Sequence, residues 1–377
     1  MTERVLITGG AGFIGRRLAI RLRRDGWQVR ILDNLLEQVH GPDAEFPPEL
    51  ARECECLRGD VTDALAMRSA SVSVDAVVHL AAETGTAQSM YEMRRYADVN
   101  VVGMATVLDA LIPHAARIRR VLLASTRAVY GEGRYVCGRC GPVFPELRSR
   151  EQLERREWDP RCLGCAGSIQ AVPTDESTPV RPVSIYGDTK STQEQLLRTF
   201  GRSFHVDVTV LRYQNVFGAG QSLSNPYTGI LTAFYRRIAQ NQAPLVFEDG
   251  DESRDFVHVD DVVEATTRAL TSSATRAGTF NVGSGVRTSI DELARVMVAE
   301  MRRTLTPVVT GQFRIGDIRH CFADIGRLTG ALAWSPSVTL AAGVREFCAW
   351  AASQPFEADV EVRAERELKD RRLLGAS

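Results

Sequence analysis

The sequence predicts an α/β fold in which a doubly wound parallel sheet is joined to a smaller, mixed α/β lobe. A glycine-rich turn lies between the first predicted strand and the first predicted helix. Predicted strands and helices then alternate through the first part of the chain, which is typical of a parallel sheet covered by helices on both faces. An aspartate ends the second predicted strand, at the place where such sheets bind the ribose of a dinucleotide.

The glycine-rich turn follows a short apolar run at 5–8 and contains Gly9, Gly12 and Gly15. This Gly-x-x-Gly-x-x-Gly spacing permits a tight turn, close approach of backbone N–H groups to a pyrophosphate, and close packing of helix on strand. It is not a P-loop, because no Lys-Ser/Thr follows the last glycine. Asp33 ends the second strand, and an acid there favours NAD over NADP. We therefore predict a Rossmann-type dinucleotide-binding domain.

The predicted strands of this domain span residues 4–8, 28–32, 54–57, 76–80, 120–125 and 208–211, with long helices at 90–110 and 189–204. We assign residues 1–213 to the NAD-binding domain. Residues 214–350 are expected to form a smaller substrate-binding lobe, within which 257–284 return to the first domain. Residues 351–377 form a charged tail without periodicity, which is typical of a frayed helix or loose tail.

Composition limits the possible partners. The chain has 377 residues, a net charge of −1 and 44% hydrophobic residues. This net charge gives no bulk drive toward nucleic acid or an anionic membrane, and no run of 18 apolar residues offers a membrane span. The first strand begins too early for a signal peptide. We therefore expect a cytoplasmic enzyme with neither a nucleic-acid nor a membrane partner.

Tyr186 and Lys190 have the spacing Tyr-x-x-x-Lys, which places both side chains on one face of a helix. A nearby ammonium favours the phenolate, so the pair can act as a general base toward an alcohol. The chain contains only two lysines, Lys190 and Lys369, and otherwise uses arginine. The alternative is an ordinary solvated helix face.

Two Cys-x-x-Cys pairs, Cys137/Cys140 and Cys162/Cys165, lie in an insertion at 132–172. Four thiolates at such spacing predict a closed, structural zinc site that stabilises a small loop. Disulfides, redox chemistry and a nucleic-acid-binding zinc ribbon remain alternatives, although acids and bases alternate through this segment.

The chain resembles the extended short-chain dehydrogenase/reductase family that acts on nucleotide sugars. The motifs that support this resemblance are, in order, Gly9 to Gly15, Asp33, Gly59-Asp60-Val61, His79-Leu-Ala-Ala82, Asn100, Ser125-Thr126-Arg-Ala-Val-Tyr130-Gly131, Tyr186/Lys190, Arg212-Tyr-Gln-Asn215, Arg254-Asp-Phe-Val-His258 and Asn281-Val-Gly283. They cover nearly all of residues 1–350. The resemblance implies a homodimer formed through the helices at 90–110 and 189–204.

The resemblance also implies roles for individual residues. Thr126, Tyr186 and Lys190 would be catalytic, with Thr126 donating to the substrate oxygen. The NAD-binding residues would be Gly9, Gly12, Phe13, Ile14, Gly15, Asp33, Asn34, Asp60, Val61, Leu80, Ala81, Ala82, Asn100, Tyr186 and Lys190. The substrate-binding residues would be Glu83, Thr84, Asn215, Arg254 and Arg319, with the arginines on the diphosphate. A surface salt bridge is the alternative for Arg319, and His79 is expected to be structural.

Within the family, the four-cysteine insertion and the runs 32–41, 88–91 and 224–229 resemble the bacterial group that includes dTDP-L-rhamnose 4-epimerases. Other activities remain open: a UDP-hexose or UDP-uronate 4-epimerase, a 4-ketoreductase, or a non-catalytic NAD sensor. A 4,6-dehydratase is disfavoured because Arg127-Ala128 replaces the Asp-Glu pair that follows the catalytic threonine in such enzymes.

Overall fold

The computed structural model describes residues 3–223, 225, 229–355 and 366–376, and its centre is a parallel sheet. The seven strands are β1 (Arg4–Thr8), β2 (Gln28–Asp33), β3 (Glu55–Arg58), β4 (Ala76–His79), β5 (Arg120–Thr126), β6 (Asp207–Tyr213) and β7 (Thr279–Val282). Their order is β3-β2-β1-β4-β5-β6-β7, and every neighbouring pair is parallel. The predicted doubly wound fold is confirmed. The strand β7 was not predicted, although its residues lie in the segment expected to return to this domain.

The two faces of the sheet bury different side chains, as the alternation of a strand requires. Val5 and Ile7 of β1 pack on one side with residues of the helices Phe13–Arg24 and Val259–Thr271, whereas Leu6 packs on the other. The second face is covered by the helices Ala64–Ala70, Gly103–Leu111 and Ile185–Phe204. Further helical turns in this part of the chain are Glu37–His40, Pro48–Glu53, Thr86–Ser89, Met93–Ala97, Asp98–Val102, Ile112–His114 and Arg127–Tyr130.

The smaller lobe has its own apolar core, between the helices Ile230–Ala239, Ile290–Glu300 and Leu340–Ala351. Helical turns at Ser273–Thr275 and Gly326–Leu332 complete this half of the chain. Short strands pair Asn215–Phe217 with Phe256–His258, Leu245–Val246 with Val308–Val309, and Ser253–Arg254 with both Thr288–Ser289 and His320–Cys321.

The helix predicted at 90–110 is not regular. Its central turn, Asp98–Val102, is a π-helix between the α-helices Met93–Ala97 and Gly103–Leu111. Within the described residues, the stretch Met93–His114 alone has the length and apolar composition of a membrane-crossing helix, and 44% of its most apolar window is buried inside the protein. It packs against the helices Ala64–Ala70 and Ile185–Phe204, as a core helix of the sheet does.

The insertion forms a small antiparallel sheet of Gly141–Val143, Tyr135–Cys137 and Gln170–Ala171, with a helix at Arg150–Glu154. The prediction of a loose tail at 351–377 is wrong in part. Residues 366–376 fold back, and the strand Leu374–Ala376 pairs antiparallel with Gln312–Arg314. Residues 356–365 and 377 of that tail, and 224 and 226–228 of the run 224–229, lie outside the described residues.

Candidate active site

The glycine turn between β1 and the first helix has the tight geometry that its spacing predicts. Gly9 has a φ of +71°, a conformation that side chains disfavour. A Cβ at Gly15 would lie 2.3 Å from the carbonyl oxygen of Gly9, so only glycine lets the helix approach the turn. A Cβ at Gly12 would meet nothing closer than that same oxygen, at 3.3 Å. The backbone above Gly12 is therefore open to a ligand.

Two acids fix the loops beside this turn. The carboxylate of Asp33, which is 7% exposed, accepts hydrogen bonds from the backbone N–H groups of Ala11 (3.0 Å) and Leu35 (2.9 Å). The carboxylate of Asp60 accepts from Asn34 Nδ2 at 2.8 Å and from the backbone N–H of Thr62 at 2.8 Å. These hydrogen bonds hold the pKa of Asp60 below its ordinary value, although burial acts in the opposite direction.

A cleft opens at the carboxyl ends of β1, β2 and β4, where parallel sheets bind ligands. It is lined by Gly9, Gly12, Leu32, Asp33, Asn34, Leu36, Val39, His40, Gly59, Asp60, Val61, Leu80, Ala81, Ala82, Glu83 and Val99. Ten of the residues predicted to bind NAD or substrate lie in this lining. The open backbone at Gly12 and the ordered acid at Asp33 fit the pyrophosphate and adenosine ribose of a dinucleotide.

Other predicted ligands lie around the cleft. Phe13 and Ile14 begin the first helix and pack partly against the core. Asn100 is fully buried in the π-helical turn, where its side chain bonds the backbone of Glu83 at 2.9 and 3.0 Å and Thr189 Oγ1 at 3.0 Å. The carboxylate of Glu83 is held by Arg95 at 2.8 and 3.0 Å. Asn100 thus connects the lining of the cleft to the helix that contains Tyr186.

That helix begins at Ile185, one turn earlier than predicted, so Tyr186 lies in its first turn. Ser184 Oγ caps the helix by accepting from the backbone N–H of Gly187 at 3.1 Å. The backbone N–H of Tyr186 donates to Ser89 Oγ at 3.1 Å. A Cβ at position 187 would lie 2.8 Å from the carbonyl oxygen of Ala128, so Gly187 lets the helix pack closely on the turn that follows Thr126.

Thr126 ends β5, and its hydroxyl, which accepts the backbone N–H of Ala128 at 3.2 Å, lies near the phenol of Tyr186. Burial raises the pKa of Tyr186 above its ordinary value, while the nearby hydroxyl of Thr126 and the charge of Arg127 act to lower it. The sequence predicted that Lys190 would lower the pKa of Tyr186. In the structure the cation that acts on Tyr186 is Arg127, and desolvation outweighs it.

Lys190 is almost fully buried, at 2% exposure, on the same helix. Burial lowers the pKa of its ammonium to about 7, although the charge of Glu194 opposes the change. His79 is also fully buried: Nδ1 lies 2.7 Å from Thr8 Oγ1, and burial lowers the pKa of the ring to about 3. A neutral, hydrogen-bonded imidazole at this position agrees with the structural role predicted for His79.

Arg127 lies directly after Thr126 and was not predicted as a ligand. Its Nε donates to Asn215 Oδ1 at 2.9 Å. Burial and the nearby charge of Arg254 lower the pKa of Arg127. Arg254 donates from Nη2 to the carboxylate of Asp317 at 3.2 Å and to the carbonyl oxygen of Ile318 at 2.8 Å. Two of the predicted substrate ligands, Asn215 and Arg254, therefore lie beside one additional cation.

Arg319 is not available to a diphosphate, and this prediction is corrected. Its side chain is 2% exposed, and all three guanidinium nitrogens are engaged by carboxylates. The partners are Asp159 at 2.8 Å, Asp249 at 2.6 and 2.8 Å, and Glu248 at 3.2 Å. Because Asp159 belongs to the insertion, Arg319 ties the insertion to the smaller lobe.

Arg314 is more accessible to a diphosphate than Arg319, and the sequence analysis did not predict it as a ligand. Arg314 is exposed, and its guanidinium lies over the ring of Phe247, 4.8 Å from the ring centroid. Within the described part of the chain, no carboxylate forms an ion pair with it. The charge of Arg314, with those of Arg254 and Arg127, lowers the pKa of Asp317. The only sequence signal for Arg314 was its position five residues before Arg319.

The four cysteines of the insertion converge. The Sγ atoms of Cys137, Cys140, Cys162 and Cys165 all lie within 4.8 Å of one another, and Cys137 and Cys165 are 3.6 Å apart. This separation is too long for a disulfide and close to the ~3.8 Å that four thiolates have around zinc. The nearby backbone N–H groups of Arg139 and Cys140 lower the pKa of the Cys137 thiol to about 6. The donor set fits a tetrahedral Zn²⁺.

Comparisons with known proteins agree with this geometry. The model of the NAD dependent epimerase/dehydratase family matches residues 5–145 and 164–283, and the gap falls inside the insertion. The chain is 38% identical to a dTDP-L-rhamnose 4-epimerase of Burkholderia thailandensis, over 93% of this chain and 96% of that protein. Its fold matches a UDP-glucose 4-epimerase of Thermotoga maritima solved with UDP-glucose (TM-score 0.75, 27% identity, 93% and 98% of the two chains).

It also matches MoeE5 in complex with UDP-glucose and NAD (TM-score 0.72, 26% identity, 93% and 98% of the chains). The glycine turn, the dinucleotide cleft and the matched length lead to one conclusion: the chain belongs to the NAD dependent epimerase/dehydratase family.

Proposed function

We propose that the protein is an NAD-dependent nucleotide-sugar 4-epimerase. The observation that supports this most directly is the proximity of the Thr126 hydroxyl to the phenol of Tyr186, at the sheet edge where the dinucleotide cleft opens. A phenol beside a hydroxyl can take a proton from a sugar alcohol and return it, as inversion at one carbon requires.

The residues of the cleft would hold NAD through the backbone at Gly9 to Gly15 and the carboxylate of Asp33. Bound there, NAD supplies the hydride acceptor and donor. Tyr186 would take the proton of the C4 hydroxyl and Thr126 would hydrogen-bond the same oxygen. Lys190, whose pKa is lowered to about 7, can exchange a proton near neutral pH behind this pair. Arg127 would favour the phenolate by its charge.

The substrate is proposed to be dTDP-L-rhamnose, with dTDP-6-deoxy-L-talose as its C4 epimer. The similarity to the Burkholderia thailandensis enzyme, including the length of the chain matched, supports this choice. Asn215, Arg254 and Arg314 are the candidates for the diphosphate and sugar, since Arg319 is engaged elsewhere. UDP-hexose or UDP-uronate 4-epimerisation is the second candidate, because Arg127 places a cation where the carboxylate of a uronate would be attracted.

Two other activities fit the site less well. A 4,6-dehydratase needs an acid and a base after Thr126, and Arg127 with the methyl group of Ala128 supplies neither. A 4-ketoreductase that consumes NADPH is disfavoured because Asp33 would repel the 2′-phosphate.

We further propose that the four cysteines hold a structural Zn²⁺ that fixes the insertion against the smaller lobe. We also propose a homodimer, formed through the stretch 93–114 and the helix Ile185–Phe204. Four large apolar residues of these helices are 38% to 51% exposed, namely Met93, Val102, Ile112 and Phe204. Light scattering should give twice the mass of one chain, and Val102→Asp should reduce it to one.

The function is tested by incubating the pure protein with dTDP- and UDP-sugars, without added reduced cofactor, and following C4 by proton NMR. We expect inversion at C4, which Tyr186→Phe abolishes while the protein retains NAD. Turnover that requires added NADH or NADPH would indicate a reductase instead. Loss of the C6 hydroxyl as water would indicate a dehydratase.

A further inference from the structure

The C-terminal segment is a folded part of the molecule, although its sequence predicts a loose tail. We call residues 366–376 the C-terminal strap. Leu368 and Leu374 of the strap are 6% and 8% exposed, so it buries apolar side chains of its own. The strap crosses three parts of the chain that are far apart in sequence.

The first contact is with the smaller lobe. The strand Leu374–Ala376 pairs antiparallel with Gln312–Arg314, and the backbone N–H of Ile315 donates to the carbonyl oxygen of Leu373 at 2.9 Å. Gly375 lies opposite Phe313, and a Cβ there would be 2.4 Å from the Phe313 ring. The absence of a side chain at position 375 is therefore what lets the strap lie flat on this strand.

The second and third contacts are with the first domain and the insertion. The hydroxyl of Tyr91 donates to Glu367 Oε2 at 2.9 Å, and the guanidinium of Arg371 lies over the Tyr91 ring, 4.1 Å from its centroid. From the insertion, Arg150 Nη2 donates to the carbonyl oxygen of Arg372 at 2.5 Å.

Each of these three anchors is connected along the chain to a residue of the candidate active site. Tyr91 follows Ser89 by two residues, and Ser89 accepts the backbone N–H of Tyr186. Arg150 belongs to the insertion that joins Thr126 to Tyr186 along the chain. Arg314, in the strand that pairs with the strap, is the exposed cation proposed above for the diphosphate. The strap thus bridges the two lobes and the insertion, and each of its contacts leads to a residue proposed for catalysis or substrate binding.

We propose that the C-terminal strap is a wall of the nucleotide-sugar site, which retains the substrate and its oxidised form during turnover. This inference rests on the proposed epimerase function. An epimerase must keep its 4-keto sugar bound while the sugar ring rotates in the site. If the 4-keto sugar escapes, the enzyme is left with reduced cofactor and no sugar to reduce. A strap between both lobes and the insertion opposes that escape without contacting the reacting carbon.

The test uses the full chain with Gly375→Val, which would collide with Phe313 and lift the strap. Arg366→Ala is the matched control, because Arg366 is an exposed residue of the strap and is not one of the residues that form the three contacts above. With a nucleotide sugar that the wild type epimerises, we measure the 4-keto nucleotide sugar released into the medium by mass spectrometry. Reduced cofactor left on the protein is followed at 340 nm. We expect Gly375→Val to release about tenfold more ketone per turnover and to stall as the 340 nm absorbance grows.

Tyr91→Leu, which releases the other end of the strap, should have the same effect, and it keeps the test decisive if Gly375→Val does not fold. Equal ketone release by wild type, Gly375→Val and Tyr91→Leu would overturn the proposal. A readout without turnover separates it from the proposed function: dTDP or UDP should dissociate about tenfold faster from both variants than from wild type and Arg366→Ala. If dTDP or UDP dissociates faster from both variants while no sugar is inverted at C4, the proposed role of the strap is supported and the proposed epimerase function is wrong.

Discussion

Replacing Lys190 by methionine is expected to abolish activity and at the same time to stabilise the nucleotide-free fold. The Lys190 side chain is 2% exposed, and burial lowers its pKa from an ordinary value of 10.5 to about 7. A buried ammonium is costly, and a methionine of similar volume removes the charge while it retains apolar contacts. Residues placed for function often lower stability in this way.

The direction and the size of this change in stability follow from the linkage between proton binding and folding. Between pH 7 and 10.5 the unfolded chain binds a proton at Lys190 that the folded chain does not, so the free energy of unfolding rises with pH across this window. The pKa difference costs the fold about 5 kcal/mol below pH 7 and about 3 kcal/mol at pH 8. The pKa of about 7 already includes the attraction of Glu194. Because exchanging one buried side chain for another of similar volume can still cost up to about 1.5 kcal/mol, we expect a net gain of about 2 kcal/mol at pH 7.5.

Urea unfolding of the nucleotide-free protein between pH 7.5 and 9.5 measures this directly. The wild-type free energy of unfolding should rise by about 1.4 kcal/mol per pH unit more than that of Lys190→Met. Lys369→Met, which changes the chain's other lysine at an exposed position, should follow the wild type. If Lys190→Met is less stable than wild type, or if the two proteins show equal pH slopes, the desolvation argument is wrong.

Three further predictions concern the cofactor turn, the base and the cysteines. Gly15→Ala should weaken NAD binding at least tenfold by calorimetry, since its Cβ meets the Gly9 carbonyl, whereas Gly330→Ala, whose Cβ meets nothing within 4 Å, should not. Arg127→Met should move the acid limb of kcat/KM about one unit to higher pH, because a cation that favours the phenolate is lost; an unmoved limb contradicts this. Metal analysis should show that Cys162→Ser has lost its zinc, and its Tm should be lower than that of the wild type. Cys54→Ser should keep the zinc and the Tm of the wild type. Less than about half an equivalent of zinc in the wild type would count against the zinc site.

The sheet and the dinucleotide cleft were predictable because local patterns determine them. Short β-branched and apolar runs such as 5–8 and 120–125 favour buried strands, and the spacing from Gly9 to Gly15 favours a tight turn between strand and helix. The strand β7 was missed because Thr279–Val282 is short and alternates polar with apolar residues. Its assignment depends on its pairing with β6, which the local sequence does not indicate.

The charges of the site were less predictable, because their partners lie far away in sequence. Arg319 was expected to bind a diphosphate, but its carboxylate partners are 70 and 160 residues distant. The effect of Lys190 on Tyr186 was misjudged because the degree of burial decides which contribution dominates. The fold of the C-terminal strap likewise depends on Tyr91, Arg150 and Phe313, none of which is near it in the chain.

In the proposed mechanism, C4 of the sugar gives up its hydrogen beside Tyr186 and then receives the same hydrogen back. Incubating the protein with dTDP-L-rhamnose that bears deuterium at C4, in ordinary water, measures this directly by mass spectrometry and NMR. We predict that the epimerised product retains the deuterium at C4 and gains no solvent hydrogen at its carbons. Loss of the label to water, with inversion still occurring, would contradict the account.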